Sequence, residues 1–150
     1  MSWVPHITVA SIIEKNNEYL FVEENINHKK VLNQPAGHLE EDETLEEGCI
    51  RETLEETAYD VEVDYLVGIY QERKKNSLDM WLRFCFKCNI LKENVDRSLD
   101  KNILRKLWLP KKELISSNFS YRSDMVLKCI EDYEKGIKYP KEILRNLLEK

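Results

Sequence analysis

The most informative stretch of the 150-residue chain is GHLEEDETLEEGCIRETLEETAY, which spans residues 37–59. Its later part predicts a helix over residues 44–58, because Thr44 can cap the helix N-terminus and Glu47 completes a capping box. A helix that begins with these two residues has a defined start, so the direction of each later side chain follows from its position.

Three carboxylates share one face of this predicted helix. Glu52, Glu55 and Glu56 stand at positions i, i+3 and i+4, which are neighbours on a helix surface. Their negative charges repel each other unless a cation lies between them, and a set of oxygen ligands suits Mg²⁺ or Mn²⁺. The alternative is a solvated acidic face, since runs of charge lie mostly on protein surfaces. The spacing alone therefore makes a divalent-metal site a hypothesis.

The helix also carries an apolar stripe and a glycine. Ile50, Leu54 and Ala58 recur every four residues, and we expect them to face the core. Gly48 lies one turn before Glu52 on the carboxylate face, where a glycine costs about 1 kcal/mol relative to alanine. We expect its missing side chain to leave room for a metal or a phosphate.

Residues around the start of the helix indicate how the carboxylates are held. Arg51 lies eight residues after Glu43, and a charge-assisted hydrogen bond between them can tie the loop to the helix. The alternative is a surface ion pair of little energetic value. Pro35 and Gly37 fix a sharp backbone path before the helix, which can direct carbonyl oxygens toward a metal held by the helix.

Together these residues resemble the Nudix box, GX5EX7REUXEEXGU, in which U is an aliphatic residue. The positions that match in residue type and spacing are Gly37, Glu43, Arg51, Glu52, Glu55 and Glu56. Three positions depart from the pattern, because Thr53 and Tyr59 replace aliphatic residues and Ala58 replaces a glycine. These departures concern packing and the exit from the helix, and the carboxylates are all retained.

The resemblance implies a fold, a domain organisation and a reaction. The implied fold is the Nudix αβα sandwich around a mixed β-sheet, of the α/β or α+β class, in one domain over residues 1–150. The implied reaction is Mg²⁺-dependent hydrolysis of a phosphoric anhydride by attack of water on phosphorus, with Mn²⁺ as the alternative ion.

Segments outside the box are similar to one bacterial phosphatase branch of this family, among them HITVASIIE, NQPAGHLE, LRFCF and YRSDMVLKCIEDYEKGIKYP. That similarity implies a small phosphorylated substrate. The implied classes are nucleoside di- and triphosphates and thiamin-related pyrophosphates, namely hydroxymethylpyrimidine pyrophosphate and thiamin pyrophosphate. Three alternatives stay open: a nucleotide-sanitising pyrophosphatase, a nucleotide-sugar pyrophosphatase, and a Nudix module that binds a ligand without turnover.

Carried over residue by residue, the resemblance implies roles at this site. The implied metal ligands are the Ala36 carbonyl, Glu52, Glu55 and Glu56. Glu52 or Glu56 is the first choice as general base, with another glutamate as the alternative, and Arg51 would orient the glutamates as part of the catalytic set. The structural members of the motif are Gly37 and Glu43. Many relatives place a further acidic residue outside the box, and the candidates here are Glu93, Asp96 and Asp100.

Several other side chains are candidates for contact with the substrate. The polar candidates are Gln34, His38, Arg83 and Arg122. The candidate platforms for stacking a flat ring are Trp3, Tyr70 and Trp81. A structural or solvated role is the alternative for these residues, because arginines are mostly exposed and aromatic residues mainly supply buried area.

The rest of the chain predicts a mixed sheet with helices packed on it. The predicted strands are residues 6–14 and 19–24, which form a hairpin, and residues 61–71, 79–90 and 105–109. The predicted helices are residues 111–116, residues 122–135 and a last helix through Leu144, Leu147 and Leu148. Cys85 and Cys88 lie three apart on a strand, so we expect their thiols on opposite faces as structural residues, without a zinc site.

The composition limits the remaining function classes. With 28 acidic and 23 basic residues, the net charge is −5, which argues against binding to a nucleic-acid polymer. No stretch of about 18 apolar residues occurs, so we expect no membrane partner. The N-terminus lacks the pattern of a signal peptide, so we expect a cytoplasmic protein, as a monomer or a homodimer. An anionic substrate then requires a metal or clustered basic side chains.

Overall fold

The computed structural model describes residues 2–116 and 118–149. Its strands are β1 (His6–Ile12), β2 (Glu14–Lys15), β3 (Glu18–Ile26), β4 (Lys29–Asn33), β5 (Ala36–His38), β6 (Tyr59–Arg73), β7 (Met80–Glu93), β8 (Ile103–Pro110) and β9 (Tyr139–Pro140). Its helices are α1 (Leu45–Thr57), α2 (Lys111–Leu114) and α3 (Asp124–Glu134), followed by a 3₁₀ turn at Lys141–Ile143. Most of the predicted strands and helices are present.

The central sheet has the strand order β5-β1-β7-β6-β9. Strands β1 and β7 are parallel, whereas the pairs β1–β5, β6–β7 and β6–β9 are antiparallel. A second sheet is built on β3, which pairs with β2 and β4 along one edge and with β8 along the other. The mixed sheet expected from the sequence is therefore confirmed.

The predicted hairpin between residues 6–14 and 19–24 is wrong in its extent. Only β2 pairs with the start of β3, across a tight turn in which Asn16 and Asn17 both have positive φ. Strand β1 instead joins the central sheet, and β3 joins the second sheet. One β-rich run thus serves two sheets, a division that its local pattern does not reveal.

Two clusters of buried apolar side chains lie on opposite faces of the central sheet. In one, Val126 of α3 packs with Ala10 of β1 and Cys85 of β7. In the other, α1 packs with Val9 and Phe86, which are the chain neighbours of those two strand residues. Because successive strand residues point to opposite faces, α1 and α3 lie on opposite sides of the sheet. This arrangement is the αβα sandwich and confirms the predicted fold class.

Helix α1 begins as predicted but buries a different face. The Thr44 side chain accepts a hydrogen bond from the Glu47 N–H (3.0 Å), and the Glu47 carboxylate accepts one from the Thr44 N–H (2.9 Å). The buried residues of the helix are Gly48, Cys49, Glu52, Thr53, Glu56 and Thr57. Ile50 and Leu54 are only half-buried. Ala58, at the end of the helix, is buried as predicted, and Ile50 packs at the edge of the core. The rest of the predicted stripe is wrong, because cysteine and threonine side chains form the face that packs on the sheet.

Two departures from the Nudix pattern have local explanations. Thr53 donates a hydrogen bond to the Cys49 carbonyl (2.7 Å), and its hydroxyl oxygen lies 2.9 Å from that of Ser11. The buried Thr53 hydroxyl, which stands where the motif has an aliphatic side chain, is therefore hydrogen-bonded. Ala58 ends the helix with a φ of 64°, the left-handed conformation that glycine adopts more readily. The backbone path of the motif is therefore kept without its second glycine.

The four cysteines carry free thiols in the interior. Cys85 lies in the cluster on the α3 side of the sheet and Cys88 in the cluster on the α1 side. The expectation that this pair points to opposite faces is confirmed. The Sγ atom of Cys88 lies 3.7 Å from that of Cys49, so these residues pack as small apolar side chains.

The C-terminal region differs most from the prediction. Helix α3 and Gly136, which has a φ of 77°, agree with the predicted second long helix and its end. The predicted last helix is wrong, because residues 144–149 are not helical and Leu147 is 89% exposed. A short helix needs a packed face to be stable, and these leucines are largely without one. Among the described helices, none is long and apolar enough to span a membrane.

Candidate active site

Carboxylates from helix α1 and from the loop after β7 converge at one place. One oxygen from each of Glu52, Glu55 and Asp100 lies within 4.8 Å of the other two. Asp100 is anchored there because its N–H donates a hydrogen bond to the Glu55 carbonyl (3.0 Å). Of the three acidic loop residues considered from the sequence, the structure brings Asp100 to the helix, whereas Glu93 and Asp96 lie outside this group of described residues.

Arg51 holds these carboxylates in position. Its Nη1 donates to Glu52 (2.7 Å) and to Glu55 (3.2 Å), while its Nε and Nη2 donate to the two oxygens of Glu43 (2.9 and 2.7 Å). Nη2 also donates to the His38 carbonyl (3.0 Å). The Arg51 guanidinium lowers the pKa of Glu43 through these hydrogen bonds. The predicted link between loop and helix is confirmed.

Glu56 is the most deeply buried carboxylate of the box. It is 7% exposed and accepts a hydrogen bond from the Ala36 N–H (2.9 Å). Burial raises the pKa of its carboxyl to about 9, and the charges of Glu24 and Glu52 act in the same direction. Burial also raises the pKa of Glu52, an effect that Arg51 opposes. A bound divalent cation favours the charged form of such carboxylates, so this donor set fits a cation.

The Ala36 carbonyl is directed away from the neighbouring strand. The Ser11 N–H donates to the Pro35 carbonyl (3.0 Å), so the adjacent pair, Ala10 and Ala36, occupies a position without ladder hydrogen bonds. The N–H and C=O of Ala36 therefore face away from β1, on the side where the N–H meets Glu56. Carboxylates with one carbonyl make an all-oxygen donor set, which fits Mg²⁺ or Mn²⁺.

Two glycines make room for carboxylates. A Cβ on Gly37 would lie 2.2 Å from the Cδ of Glu52, so this glycine lets the carboxylate lie against the backbone of β5. A Cβ on Gly48 would lie 2.9 Å from Oε1 of Glu43 and 3.1 Å from Cδ1 of Leu39. The prediction that Gly48 leaves space for a metal or a phosphate is therefore wrong, because the space is used by Glu43.

A cleft of about 260 Å³ opens beside the carboxylates and is lined in part by Glu56 and Asp100. Of the predicted substrate-contacting residues, those that line it are His38, Arg83, Arg122 and Trp81. Glu56 of the box, Asp100 and most of the predicted substrate residues thus line one cavity. This arrangement suits a substrate that combines phosphate groups with an organic part.

Gln34 lies behind the wall of the cleft. It is 1% exposed, its Nε2 donates to the Val126 carbonyl (2.7 Å), and its Oε1 accepts from Nη1 of Arg83 (2.8 Å). Both ends of the amide are therefore used within the protein. The prediction that Gln34 contacts the substrate is wrong, and its position instead supports Arg83.

Of the predicted stacking platforms, Trp81 is the one placed at the cleft. Tyr70 packs against the core and donates a hydrogen bond to Asp132 (2.9 Å). Trp3 is 54% exposed, and its indole N–H donates to the Leu78 carbonyl (3.1 Å). Tyr70 and Trp3 are therefore wrong as platforms for this site.

His38 and Arg122 lie next to Trp81. Nε2 of His38 is 3.0 Å from Nδ1 of His6, and the His6 ring stacks on Trp81 with 4.1 Å between centroids. The Arg122 guanidinium lies 5.7 Å from the Trp81 ring centre. Burial lowers the pKa of His38, and the charges of His6 and Arg122 lower it further. This part of the cleft is therefore aromatic, with Arg122 as its cation.

Sequence reasoning does not find several polar residues that line the cleft, among them Thr8, Glu24 and Asn33. These three lie on β1, β3 and β4, and with Arg83 of β7 we call them the strand wall. Strand periodicity contains no signal for Glu24, because residues 19–22 of β3 are all buried and both faces of the strand are therefore covered. The burial of Glu24 is shown by the structure alone, and a buried acidic residue needs an explanation.

The NUDIX domain family model matches residues 4–127 of the chain. The chain belongs to the Nudix family. Among curated Nudix proteins, phosphatase NudJ of Escherichia coli (strain K12) is 34% identical over 140 residues, which cover 93% of this chain and 90% of NudJ. The resemblance drawn from the box is confirmed, and this chain is a Nudix hydrolase.

Solved structures agree with the Nudix assignment. A NUDIX hydrolase from Nitrosomonas europaea matches with a TM-score of 0.93 at 38% identity, over 98% of this chain and 100% of that chain. The NUDIX domain of Shewanella oneidensis NrtR, complexed with ADP ribose, matches with a TM-score of 0.69 at 16% identity, over 89% of this chain and 88% of that chain. The second likeness shows the shared fold alone.

Proposed function

We propose that this Nudix hydrolase is a Mg²⁺-dependent phosphohydrolase of small phosphorylated compounds, with Mn²⁺ as the alternative ion. The observation that carries the proposal is the convergence of Glu52, Glu55 and Asp100 beside a cleft lined by Arg83 and Arg122. A divalent cation and the Arg122 guanidinium give an acidic protein the positive charge that a phosphate anion requires. We also propose that residues 1–150 form one Nudix domain, of which the family match covers most.

The proposed ligands of the ion are the Ala36 carbonyl, Glu52, Glu55, Glu56 and Asp100. When bound, the ion neutralises and orients the phosphates and lowers the pKa of a coordinated water. Arg51 prepares the site, since its hydrogen bonds orient Glu52 and Glu55 independently of any ligand. Arg51 is in this sense a positioning residue.

Glu52 and Glu56 are the proposed acceptors of the proton that the attacking water loses. In each carboxylate the protein holds one oxygen, through Arg51 for Glu52 and through the Ala36 N–H for Glu56. The second oxygen of each group can bind the ion or accept the proton. His38, Arg83 and Arg122 are proposed to contact the substrate.

The proposed substrates are nucleoside di- and triphosphates and thiamin-related pyrophosphates, in particular hydroxymethylpyrimidine pyrophosphate and thiamin pyrophosphate. The support is the similarity to phosphatase NudJ, which extends over 93% of the chain. A cleft that joins carboxylates to Trp81 and His38 also suits a phosphate ester of a flat ring.

A screen for phosphate release with Mg²⁺ tests this proposal. The compounds are nucleotides, thiamin pyrophosphate and its pyrimidine precursor, and both products of each reaction are identified. We expect release of terminal orthophosphate that stops in EDTA and returns when Mg²⁺ is added. Release of pyrophosphate from triphosphates would identify a pyrophosphatase instead, and tight binding without product over hours would identify a non-catalytic module.

A further inference from the structure

Two buried polar groups of the strand wall have no hydrogen-bond partner among the described residues. They are Oγ1 of Thr8 and Nε of Arg83, which belong to residues that are 6% and 4% exposed. An unpaired buried donor or acceptor costs roughly 1–3 kcal/mol, and native proteins retain few of them. Both residues line the same cleft. Both atoms are themselves almost fully covered, so a ligand can pair with them only after a small shift of the strand wall.

Glu24 of the strand wall is also incompletely paired. It is 8% exposed, and its nearest polar contacts are Nδ2 of Asn33 at 3.4 Å and Nε of Arg122 at 3.8 Å. Short charge-assisted hydrogen bonds measure about 2.7–2.9 Å, so both contacts are long. Burial raises the pKa of Glu24, while the hydrogen bond from Asn33 and the charge of Arg122 lower it. The carboxylate therefore has acceptor capacity that the protein does not use.

The strand wall is poorly suited to a phosphate, because the Glu24 carboxylate would repel it. The strand wall is suited to a ligand edge with an N–H that donates to Glu24 and an adjacent atom that accepts from the N–H of Arg83. The Thr8 hydroxyl can donate or accept a further hydrogen bond. Trp81 lines the same cleft and provides an apolar surface for a flat ring. A planar heterocycle with an amino group beside a ring acceptor has this pattern.

We infer that Thr8, Glu24 and Arg83 form a specificity subsite that binds the amino edge of a planar heterocycle in the substrate. The inference rests on the proposed function, since it names the organic part of the phosphorylated compound. The amino edge occurs in cytosine and in the aminopyrimidine of the thiamin precursor. In uracil a carbonyl oxygen replaces the amino group and the adjacent ring nitrogen carries a hydrogen, so a ring held in the same pose is repelled by Glu24 and meets the N–H of Arg83 with a second donor. Glu24 therefore selects amino over oxo rings.

Cytidine and uridine compounds test this selection, because their rings differ at the amino position. We expect kcat/KM to be about tenfold higher for CDP than for UDP, since a hydrogen bond to a charged group is worth at least this ratio. Glu24→Gln should bring the ratio close to one. It should also lower kcat/KM for hydroxymethylpyrimidine pyrophosphate, and the larger of the two losses indicates which amino ring the subsite fits better.

Binding of CMP and UMP, measured by calorimetry with Mg²⁺ present, gives a readout that does not depend on turnover. Preference for CMP without hydrolysis of either diphosphate would support the subsite and contradict the proposed function. Hydrolysis of both diphosphates at equal rates, with equal binding of CMP and UMP, would overturn the subsite and leave the proposed function intact. Equal hydrolysis of CDP and UDP and equal binding of CMP and UMP are also the results expected if the strand wall contacts the ribose instead of the ring.

Thr8 provides a test that does not depend on the folding of the Glu24 variant. Thr8→Val removes the unpartnered hydroxyl, so Tm should stay equal or rise, while KM should rise roughly three- to tenfold with kcat little changed. Thr8→Ser keeps the hydroxyl and should retain the wild-type KM. A higher Tm with unchanged KM in Thr8→Val would assign the hydroxyl to structure alone and overturn the subsite.

Discussion

The helix side of the cleft and the strand wall differ in how completely their polar groups are paired. On the helix side, the Arg51 guanidinium is engaged with four glutamates, Glu40, Glu43, Glu52 and Glu55, and with a backbone carbonyl. On the strand wall, Thr8 Oγ1 and Arg83 Nε lack partners among the described residues. The protein thus organises the first side in advance, whereas a ligand completes the second. Variants of the helix side should therefore affect catalysis with every substrate, and variants of the strand wall should affect the choice of substrate.

Glu56→Gln should have the largest effect on the helix side. We expect phosphate release to fall about 10³-fold, because an amide neither accepts the proton nor binds a divalent cation well. The free energy of unfolding should stay equal or rise, since burial disfavours the charged carboxylate and the amide oxygen can still accept from the Ala36 N–H. Steady-state kinetics and urea unfolding measure the two effects.

Glu41→Gln is the matched control, because Glu41 is an exposed acidic residue just before the same helix. It should keep wild-type activity and stability. Full activity of Glu56→Gln, or undiminished activity of the wild type in EDTA, would contradict the proposed metal site. Loss of CDP preference in Glu56→Gln would contradict the division between the two sides.

Gly37→Ala should have the next largest effect. The added Cβ would lie 2.2 Å from the Cδ of Glu52, so that carboxylate must move, and a displacement of this size can cost about 10²-fold in kcat. Stability should change little, because the displaced atoms are the end of a flexible side chain. Activity assays and thermal unfolding test both statements.

Gly48→Ala is the comparison variant for Gly37. Its Cβ would meet the end of Glu43 instead of a proposed metal ligand, and the helix gains about 1 kcal/mol of propensity. We expect a loss of activity well below that of Gly37→Ala. Equal losses in the two variants would mean that the close approach of Glu52 to the backbone has no special importance.

Arg51→Met should reduce activity about 30-fold, the range found when residues that orient metal ligands are removed. It should also lower the free energy of unfolding by about 2 kcal/mol, because hydrogen bonds to charged groups are lost. Arg51 lowers the pKa of Glu43 below its ordinary 4.5, so this stabilisation is present above pH 4.5 and is lost as the pH falls through the lowered value. The stability difference between wild type and Arg51→Met should therefore shrink in acid.

Urea unfolding at neutral and acidic pH measures this difference, and Arg51→Lys is the control that keeps the charge. The lysine cannot donate to Glu43 with two nitrogens at once, so it should recover part of the stability and less of the activity. A stability difference that is constant with pH would show that the link between Arg51 and Glu43 does not stabilise the fold.

The helix side could be predicted from the sequence because its signals are local. The capping box, the spacing of the carboxylates and the pairing of Arg51 with Glu43 all lie within residues 37–59. Helical geometry alone relates these positions, so the prediction needs no knowledge of the rest of the fold. The face that α1 buries was predicted wrongly, because it depends on the sheet beneath the helix. There Thr53 bonds Ser11, a residue of another element.

Apart from Arg83, the residues of the strand wall could not be predicted, because four strands distant in sequence form it. Thr8 and Glu24 line one cleft because β1 and β3 belong to two different sheets. The sequence instead predicts that these two strands pair as a hairpin. Gln34 shows the same limit, since the amide turns inward to the Val126 carbonyl of α3. Its position beside the box loop predicts contact with the substrate, whereas packing against α3, a distant element, directs its side chain away from the cleft.

Asp100→Asn should have the smallest effect on the helix side and tests its least predictable member. We expect about tenfold more Mg²⁺ to be needed for half-maximal activity, with kcat close to wild type at saturating Mg²⁺. Asp100 is exposed and only one of several ligands, which explains the limited loss. Asp96→Asn is the control, since Asp96 lies on the same loop outside the group, and its Mg²⁺ requirement should not change. If Asp100→Asn needs no more Mg²⁺ than the wild type, the Asp100 carboxylate does not bind the ion. The residue would then only anchor the loop, through the hydrogen bond from its N–H to the Glu55 carbonyl, which asparagine keeps.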